Sequence, residues 1–276
     1  MSSGPNRDEL LIEPDTLEGW LDRDDILVVD LSSAKTHQQY HIPGAVFLEY
    51  AQIVAERKPV SGLLPDVDSL VRILSSTGIG NDRRVIAYDD EGGGKACRLL
   101  WTLDCLGFHD YALLNGGLHS WARERHKLTD APTLPRPADF HAHFDATPIA
   151  DAGYIKARLD NPAMVLVDTR TREEYTGERR YAERGGHIPG ALHFDWQRGM
   201  DPRRNLRFRN AAELRAELEG LGIGLGRQPV VYCQTHHRSS HTYVLLKYLG
   251  YHEVKGYHGA WSDWGNRPDT PVETDA

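Results

Sequence analysis

The sequence predicts an α/β protein built from two copies of one unit, each a mostly parallel sheet flanked by helices. Three observations carry this expectation. Short β-branched runs alternate with helix-periodic segments along the whole chain, the pattern of strands joined by crossover helices. The same motifs occur twice in the same order. Between the two sets lies LTDAPTLPRPADFHAHFDATP, residues 128–148, rich in Pro, Asp, Ala and Thr with no sustained period.

The first copy opens with ILVVD, ending at Asp30, followed by HIPGA (41–45), GIG (78–80), VIAYD (85–89), LGF (106–108) and GGLHSW (116–121). The second has MVLVD, ending at Asp168, then HIPGA (187–191), GIG (222–224), VVYC (230–233), LGY (249–251) and GAWSDW (259–264). Equivalent positions stay 138 to 146 residues apart, which indicates duplication. Strands are expected at 26–29, 46–48, 84–88 and 112–114, with helices near 66–77 and 94–105. In the second copy the expected strands are 164–167, 192–194, 229–232 and 253–255, with helices near 148–159, 211–220 and 239–249. The domains are accordingly placed at 1–128 and 148–276, joined by a linker at 129–147 lying over the surface.

A chain of 276 residues has ample core for two domains. Its net charge of −8 argues against general nucleic-acid binding. Three cysteines, Cys97, Cys105 and Cys233, cannot all pair and suit a reducing compartment. With neither the tracts of a signal peptide at the start nor an apolar run of membrane-spanning length, the expected location is cytoplasmic.

Cys233 is the principal candidate for chemistry. Val230 and Val231 end a strand at Tyr232, a six-residue loop runs from Cys233 to Arg238, and a helical segment opens on Ser239 and Ser240. This puts the thiol at a helix mouth, where unpartnered N–H groups and a partial positive charge favour anions. With His236, His237 and Arg238 in the same loop, the thiol pKa is expected to be lowered, producing a nucleophilic thiolate. Gln234, Thr235, His236, His237, Arg238 and Ser239 are the expected substrate-binding residues.

The alignment of the copies puts Asp89 at the position of Cys233, so the first domain is expected to be catalytically inactive and to help wall the pocket of the second. Its loop, DDEGGGK, lacks Walker spacing and reads as acidic and flexible, repelling an anion. Cys97 and Cys105, within an apolar helical stretch, read as core. Asp30, Asp168, His41 and His187 read as architectural. Residues 179–209 hold eight arginines against three carboxylates, about +5, which suits an anionic ligand or partner. Trp196 is expected near the pocket.

The paired domains, the DxR and HIPGA motifs and a cysteine loop kept only in the second copy resemble the tandem-domain rhodaneses over about residues 10–270. CQTHHR resembles the active loop of a bacterial subset of thiosulfate:cyanide sulfurtransferases. That resemblance implies a Cys233 persulfide that takes sulfane sulfur from thiosulfate and passes it to cyanide or another thiophilic acceptor, a sulfur-accepting protein included, with no cofactor and no metal. Mercaptopyruvate sulfurtransferases carry a Cys-Gly-Ser/Ala-Gly loop where this chain has Gln234, Thr235 and two histidines, so mercaptopyruvate is the less favoured donor. An anion-binding arginine of some relatives falls at Glu174 here; Arg179, Arg180 or Arg184 are the expected substitutes.

Three other readings use the same residues. A phosphatase of the cell-cycle dual-specificity type needs arginine six residues after the cysteine, where this chain has Ser239. A metal site at Cys233, His236, His237 and His241 has no common zinc spacing. A non-enzymatic persulfide relay would use the same loop with a protein acceptor, and the 179–209 segment favours it.

Overall fold

The computed structural model describes residues 10–274. In chain order the first half has β1 (Leu11–Ile12), α1 (Pro14–Glu18), β2 (Ile26–Asp30), α2 (Ala34–Gln39) and β3 (Val46–Phe47). A hairpin of β4 (Ala55–Arg57) and β5 (Val60–Leu63) precedes α3 (Val67–Thr77), β6 (Arg84–Tyr88), α4 (Gly94–Cys105), β7 (Tyr111–Leu114) and α5 (Gly117–Arg123). The second half has β8 (Ile149–Ala150), α6 (Ala152–Lys156), β9 (Met164–Asp168), α7 (Arg172–Thr176) and β10 (Leu192–His193). After β11 (Met200–Asp201) and β12 (Arg207–Phe208) follow α8 (Ala211–Gly220), β13 (Gln228–Tyr232), α9 (Arg238–Tyr248), β14 (Lys255–Tyr257) and α10 (Ala260–Trp264).

Two five-stranded sheets form, in the orders β1-β7-β6-β2-β3 and β8-β14-β13-β9-β10, and every pairing in them is parallel. The orders are the same once the copies are aligned. β6 and β13 are the central strands, and the loops that begin at Asp89 and Cys233 leave their carboxyl ends, where open α/β sheets place their ligands. Fully buried strands explain the uninterrupted apolar runs ILVV, VIAY and MVLV.

The chain forms two compact units that are not simple halves. One joins the chain up to Ile53 with Asp66–Asp145 and Asp201–Arg207; the other joins Val54–Pro65, Ala146–Met200 and Phe208 onward. The β4–β5 hairpin, which lies in the first half of the sequence, is thus part of the second unit. Segment 129–147 has almost no regular structure but is held down: Thr129 bridges His41, and the amides of Ala138, His143 and Asp145 donate to the carbonyls of Ser75, Leu106 and Cys105.

Local chemistry repeats between copies. In each HIPGA turn the alanine N–H donates to the isoleucine carbonyl at 3.0 Å, and the glycine takes φ of +79° or +72°, as a Pro-Gly type II turn requires. The tyrosine that ends each central strand receives the isoleucine amide on its hydroxyl, Tyr88 from Ile42 and Tyr232 from Ile188, both at 3.1 Å. The motif therefore fixes the end of the strand that launches the candidate loop.

Some boundaries differ from expectation. The helix expected at 148–159 is a strand, Ile149–Ala150, then a short helix capped by Asp151, whose carboxylate accepts from the Tyr154 amide at 2.6 Å. The strand expected at 253–255 is Lys255–Tyr257, with Glu253 at φ +57° turning the chain before it. Among the described residues no helix is long and apolar enough to cross a membrane.

Candidate active site

Cys233 follows β13 directly, and α9 begins at Arg238, one residue earlier than its sequence pattern suggests. The intervening loop is curled by His236, a non-glycine residue at φ +55°. Such a conformation costs of order 1–3 kcal/mol and persists only when its neighbours hold it. Here they do: His236 Nδ1 lies 2.7 Å from Ser239 Oγ, and Ser240 Oγ donates to the His236 carbonyl at 2.5 Å. The amides of Trp261 and Ser262 in α10 grip the loop from below, donating to the carbonyls of Cys233 and Gln234 at 2.9 and 3.0 Å.

The sulfur sits inside this curl, 1% exposed. Burial alone would push its pKa up, but the Arg238 charge, the Ser239 hydroxyl 3.5 Å from Sγ and the inward-pointing amides of Ser239 and Thr235 outweigh it, and the thiol is lowered below its ordinary range. Its immediate surroundings are hydrogen-bond donors and a cation, the environment of a stabilised thiolate. Cys97 and Cys105 are the contrast. Burial and nearby carboxylates push both thiols up, in keeping with core residues.

Arg238 is held by a bidentate pair with Glu174, Nη1 to Oε2 at 2.6 Å and Nη2 to Oε1 at 2.8 Å. Glu174 is itself fixed by a capping box at α7: the Thr171 hydroxyl accepts from its amide and its carboxylate accepts from the Thr171 amide. Burial would raise the Glu174 carboxyl, yet the Arg238 guanidinium holds it below the usual carboxylate range. Glu174 thus orients the loop's own arginine. The DxR motif lies beneath: Arg170 forks onto Asp168, donates to the Gly186 carbonyl at 2.7 Å, and stacks over Trp261, 4.4 Å from the ring centre.

The remaining expected residues divide. The side chain of His236 is fully buried and turned to Ser239, so it shapes the loop. His237 is half-buried beside Trp196, ring centres 6.2 Å apart, so Trp196 does lie against the loop. Gln234 donates from Nε2 to the Tyr181 carbonyl at 3.2 Å, which places exposed Tyr181, next to the exposed Arg179 and Arg180, along the loop. Arg184 is turned elsewhere: its guanidinium donates to the carbonyls of Trp264, Arg267 and Thr270. The 179–209 segment is less cationic than its composition suggests, since Arg198 and Arg209 pair with Glu217, and Arg207 pairs with Glu13 and Glu124.

Asp89 gives the loop expected to be acidic and flexible a fixed set of hydrogen bonds. Its Oδ1 accepts from the amides of Glu91 and Gly93 at 3.0 and 2.8 Å, and its Oδ2 from Ala96 at 2.9 Å. The first unit keeps an anion cradle and fills it with its own carboxylate. Burial and the neighbouring Glu91 raise the Asp89 carboxyl against the pull of those amides. The two clefts of about 610 and 240 Å³, lined by residues such as Arg83 and Arg136 or Tyr40 and His119, are walled by the first unit and contain no cysteine. Among the described residues no group of three or more His, Cys, Asp or Glu side chains is arranged to hold a metal ion.

Comparisons with known proteins agree with this architecture. The rhodanese-like domain matches twice, over residues 13–124 and 151–267. The thiosulfate sulfurtransferases of Pseudomonas aeruginosa and Azotobacter vinelandii are each 41% identical over 264 residues, covering 96% of this chain and 97% of theirs. The sulfur carrier protein TtuD of Thermus thermophilus is 32% identical over 96% of both chains. In fold, the chain is similar to EanB in complex with hercynine, with a TM-score of 0.87 and 21% identity over 97% of this chain and 70% of that one. Two matched domains and relatives of this identity over nearly the full length show that the chain belongs to the rhodanese family.

Proposed function

We propose that the protein is a thiosulfate:cyanide sulfurtransferase in which Cys233 carries the sulfur. The observation that carries this reading is a buried sulfur at the end of β13 with the Ser239 hydroxyl 3.5 Å away and the Ser239 and Thr235 amides turned to it, in the field of the Arg238 charge. The Cys233 thiolate attacks the outer sulfur of thiosulfate, an S–S bond forms, and sulfite leaves with the electron pair of the broken S–S bond. The persulfide anion takes the place of the thiolate, so the same donors hold both anions without rearrangement. Cyanide carbon then attacks the terminal sulfur, thiocyanate leaves, and the thiolate is regenerated. No cofactor enters the balance. The 41% identity to two thiosulfate sulfurtransferases supports thiosulfate as donor. A probable 3-mercaptopyruvate sulfurtransferase of Pseudomonas aeruginosa, at 32%, keeps mercaptopyruvate as the alternative donor.

A protein thiol is the second acceptor, favoured by the similarity to a sulfur carrier protein and by exposed Arg179, Arg180 and Tyr181 beside Gln234. The first unit, with Asp89 in place of the nucleophile, takes no sulfur in this reading. The test is intact mass after thiosulfate treatment. One added sulfur is expected, removed by cyanide and absent from Cys233→Ser; no adduct on the wild type, or an adduct retained by the variant, refutes the assignment. Loading without turnover to cyanide, together with transfer to a protein thiol, selects the relay.

A further inference from the structure

We propose that the β4–β5 hairpin is a positioning element for the Cys233 loop and that it acts through Gly62. The proposal rests on the sulfur-transfer reading for its effect on turnover, but not for its effect on the thiol. Gly62 has φ of +77°, and a Cβ built there would lie 2.0 Å from the Thr235 carbonyl oxygen, 2.7 Å from its carbon and 2.9 Å from the Thr235 Cβ. Only a hydrogen fits between hairpin and loop at this point. The residue it touches matters: the Thr235 amide, on the peptide just before the contact, faces Sγ, and the Thr235 carbonyl leads directly into His236, held at φ +55°.

Two more contacts fix the hairpin against the same loop. The Ser262 hydroxyl accepts from the Ser61 amide at 3.1 Å while the Ser262 amide donates to the Gln234 carbonyl, so one residue of α10 joins hairpin to loop. The Leu64 amide donates to His258 Nδ1 at 3.0 Å. The hairpin contributes little to the core. Leu63 is its one buried side chain, whereas Glu56, Arg57, Lys58 and Pro59 are exposed. What it supplies is backbone pressed onto backbone, which sets the aim of an amide donor at the sulfur. A displacement of a few tenths of an ångström there weakens a hydrogen bond to the thiolate while leaving the apolar core untouched.

The test uses Gly62→Ala, Ser262→Ala and, on the exposed edge of the hairpin, Glu56→Ala. The rate of iodoacetamide alkylation at Cys233, located by peptide mass, is followed against pH, and kcat and KM for thiosulfate are measured beside thermal unfolding. Gly62→Ala is expected to move the alkylation midpoint upward and to lower kcat at least tenfold, with KM changed less than threefold. Ser262→Ala should shift both in the same direction by less, and Glu56→Ala should match the wild type. Wild-type alkylation profiles in both Gly62→Ala and Ser262→Ala overturn the proposal, as does an equal shift in Glu56→Ala. Should Gly62→Ala fail to fold, Ser262→Ala decides alone. A wild type that takes no sulfur from thiosulfate, with alkylation profiles shifted as expected, sinks the donor assignment and leaves the positioning role standing.

Discussion

Replacing Arg238 by methionine separates the electrostatics of the loop from its stability. Methionine keeps an apolar stem of similar length and removes the charge. A contact ion pair at 4 Å is worth about 4 kcal/mol at an effective dielectric of 20. Arg238 is shared bidentately with Glu174 and its side chain is 20% exposed, so about a third of that, ~1.4 kcal/mol, is a reasonable contribution to the thiolate. This is a factor of about ten in the thiol's dissociation constant, or about one pH unit. The midpoint of iodoacetamide alkylation at Cys233, followed against pH, should accordingly move up by about one unit, and the apparent KM for thiosulfate should rise. The single variant also strands Glu174, 3% exposed, which costs about 2–3 kcal/mol after allowance for the exposed side of the pair. Glu174→Gln combined with Arg238→Met removes both charges and should recover most of the stability in urea unfolding without recovering the alkylation midpoint. A wild-type alkylation midpoint in the single variant, or recovery of the midpoint along with stability in the double variant, refutes the assignment of Arg238 as the cation that stabilises the sulfur.

Two further outcomes are expected. The Glu174 carboxyl is lower in the folded chain than its ordinary 4.5, so the stability it contributes is complete above that value and lost as pH falls through the lowered folded one. Urea midpoints measured through the acid range should fall in the wild type and fall less steeply in Glu174→Gln; parallel curves would remove Glu174 from the acid response. Arg184→Ala strips donors from the carbonyls of Trp264, Arg267 and Thr270 and should cost about 2–4 kcal/mol of stability, with thiosulfate turnover per folded molecule unchanged. A selective rise in thiosulfate KM would return Arg184 to the pocket.

The duplication and the parallel α/β architecture were legible because they rest on long apolar strands and ordered motifs, and the helices Val67–Thr77 and Gly94–Cys105 fall within a residue of their periodic patterns. The placement of Cys233 between a strand end and a helix start was legible because both elements show their patterns in sequence. The pairing of Arg238 with Glu174 was not, since the two are 64 residues apart. A capping box such as Thr171-x-x-Glu174 reports a helix start and carries no information on a partner so far along the chain. The hairpin at 55–63 went unread because β4 and β5 are three and four residues long, too short to show a period, and because nothing local ties Gly62 to Thr235. The Asp89 loop was misread from its composition. Three glycines suggest mobility in isolation, but inward amides need an acceptor, and the first residue of the loop provides one.

That internal acceptor bears on how a repeated fold can keep its loop shape with a different residue at the loop's head. A nest of amides emptied of its anion would leave buried donors facing nothing, a fault costly enough to threaten the whole unit. A carboxylate at residue 89 puts an internal acceptor where the second copy has a thiol, and the amides of Glu91, Gly93 and Ala96 all end on it. The cradle is thereby closed by the chain itself.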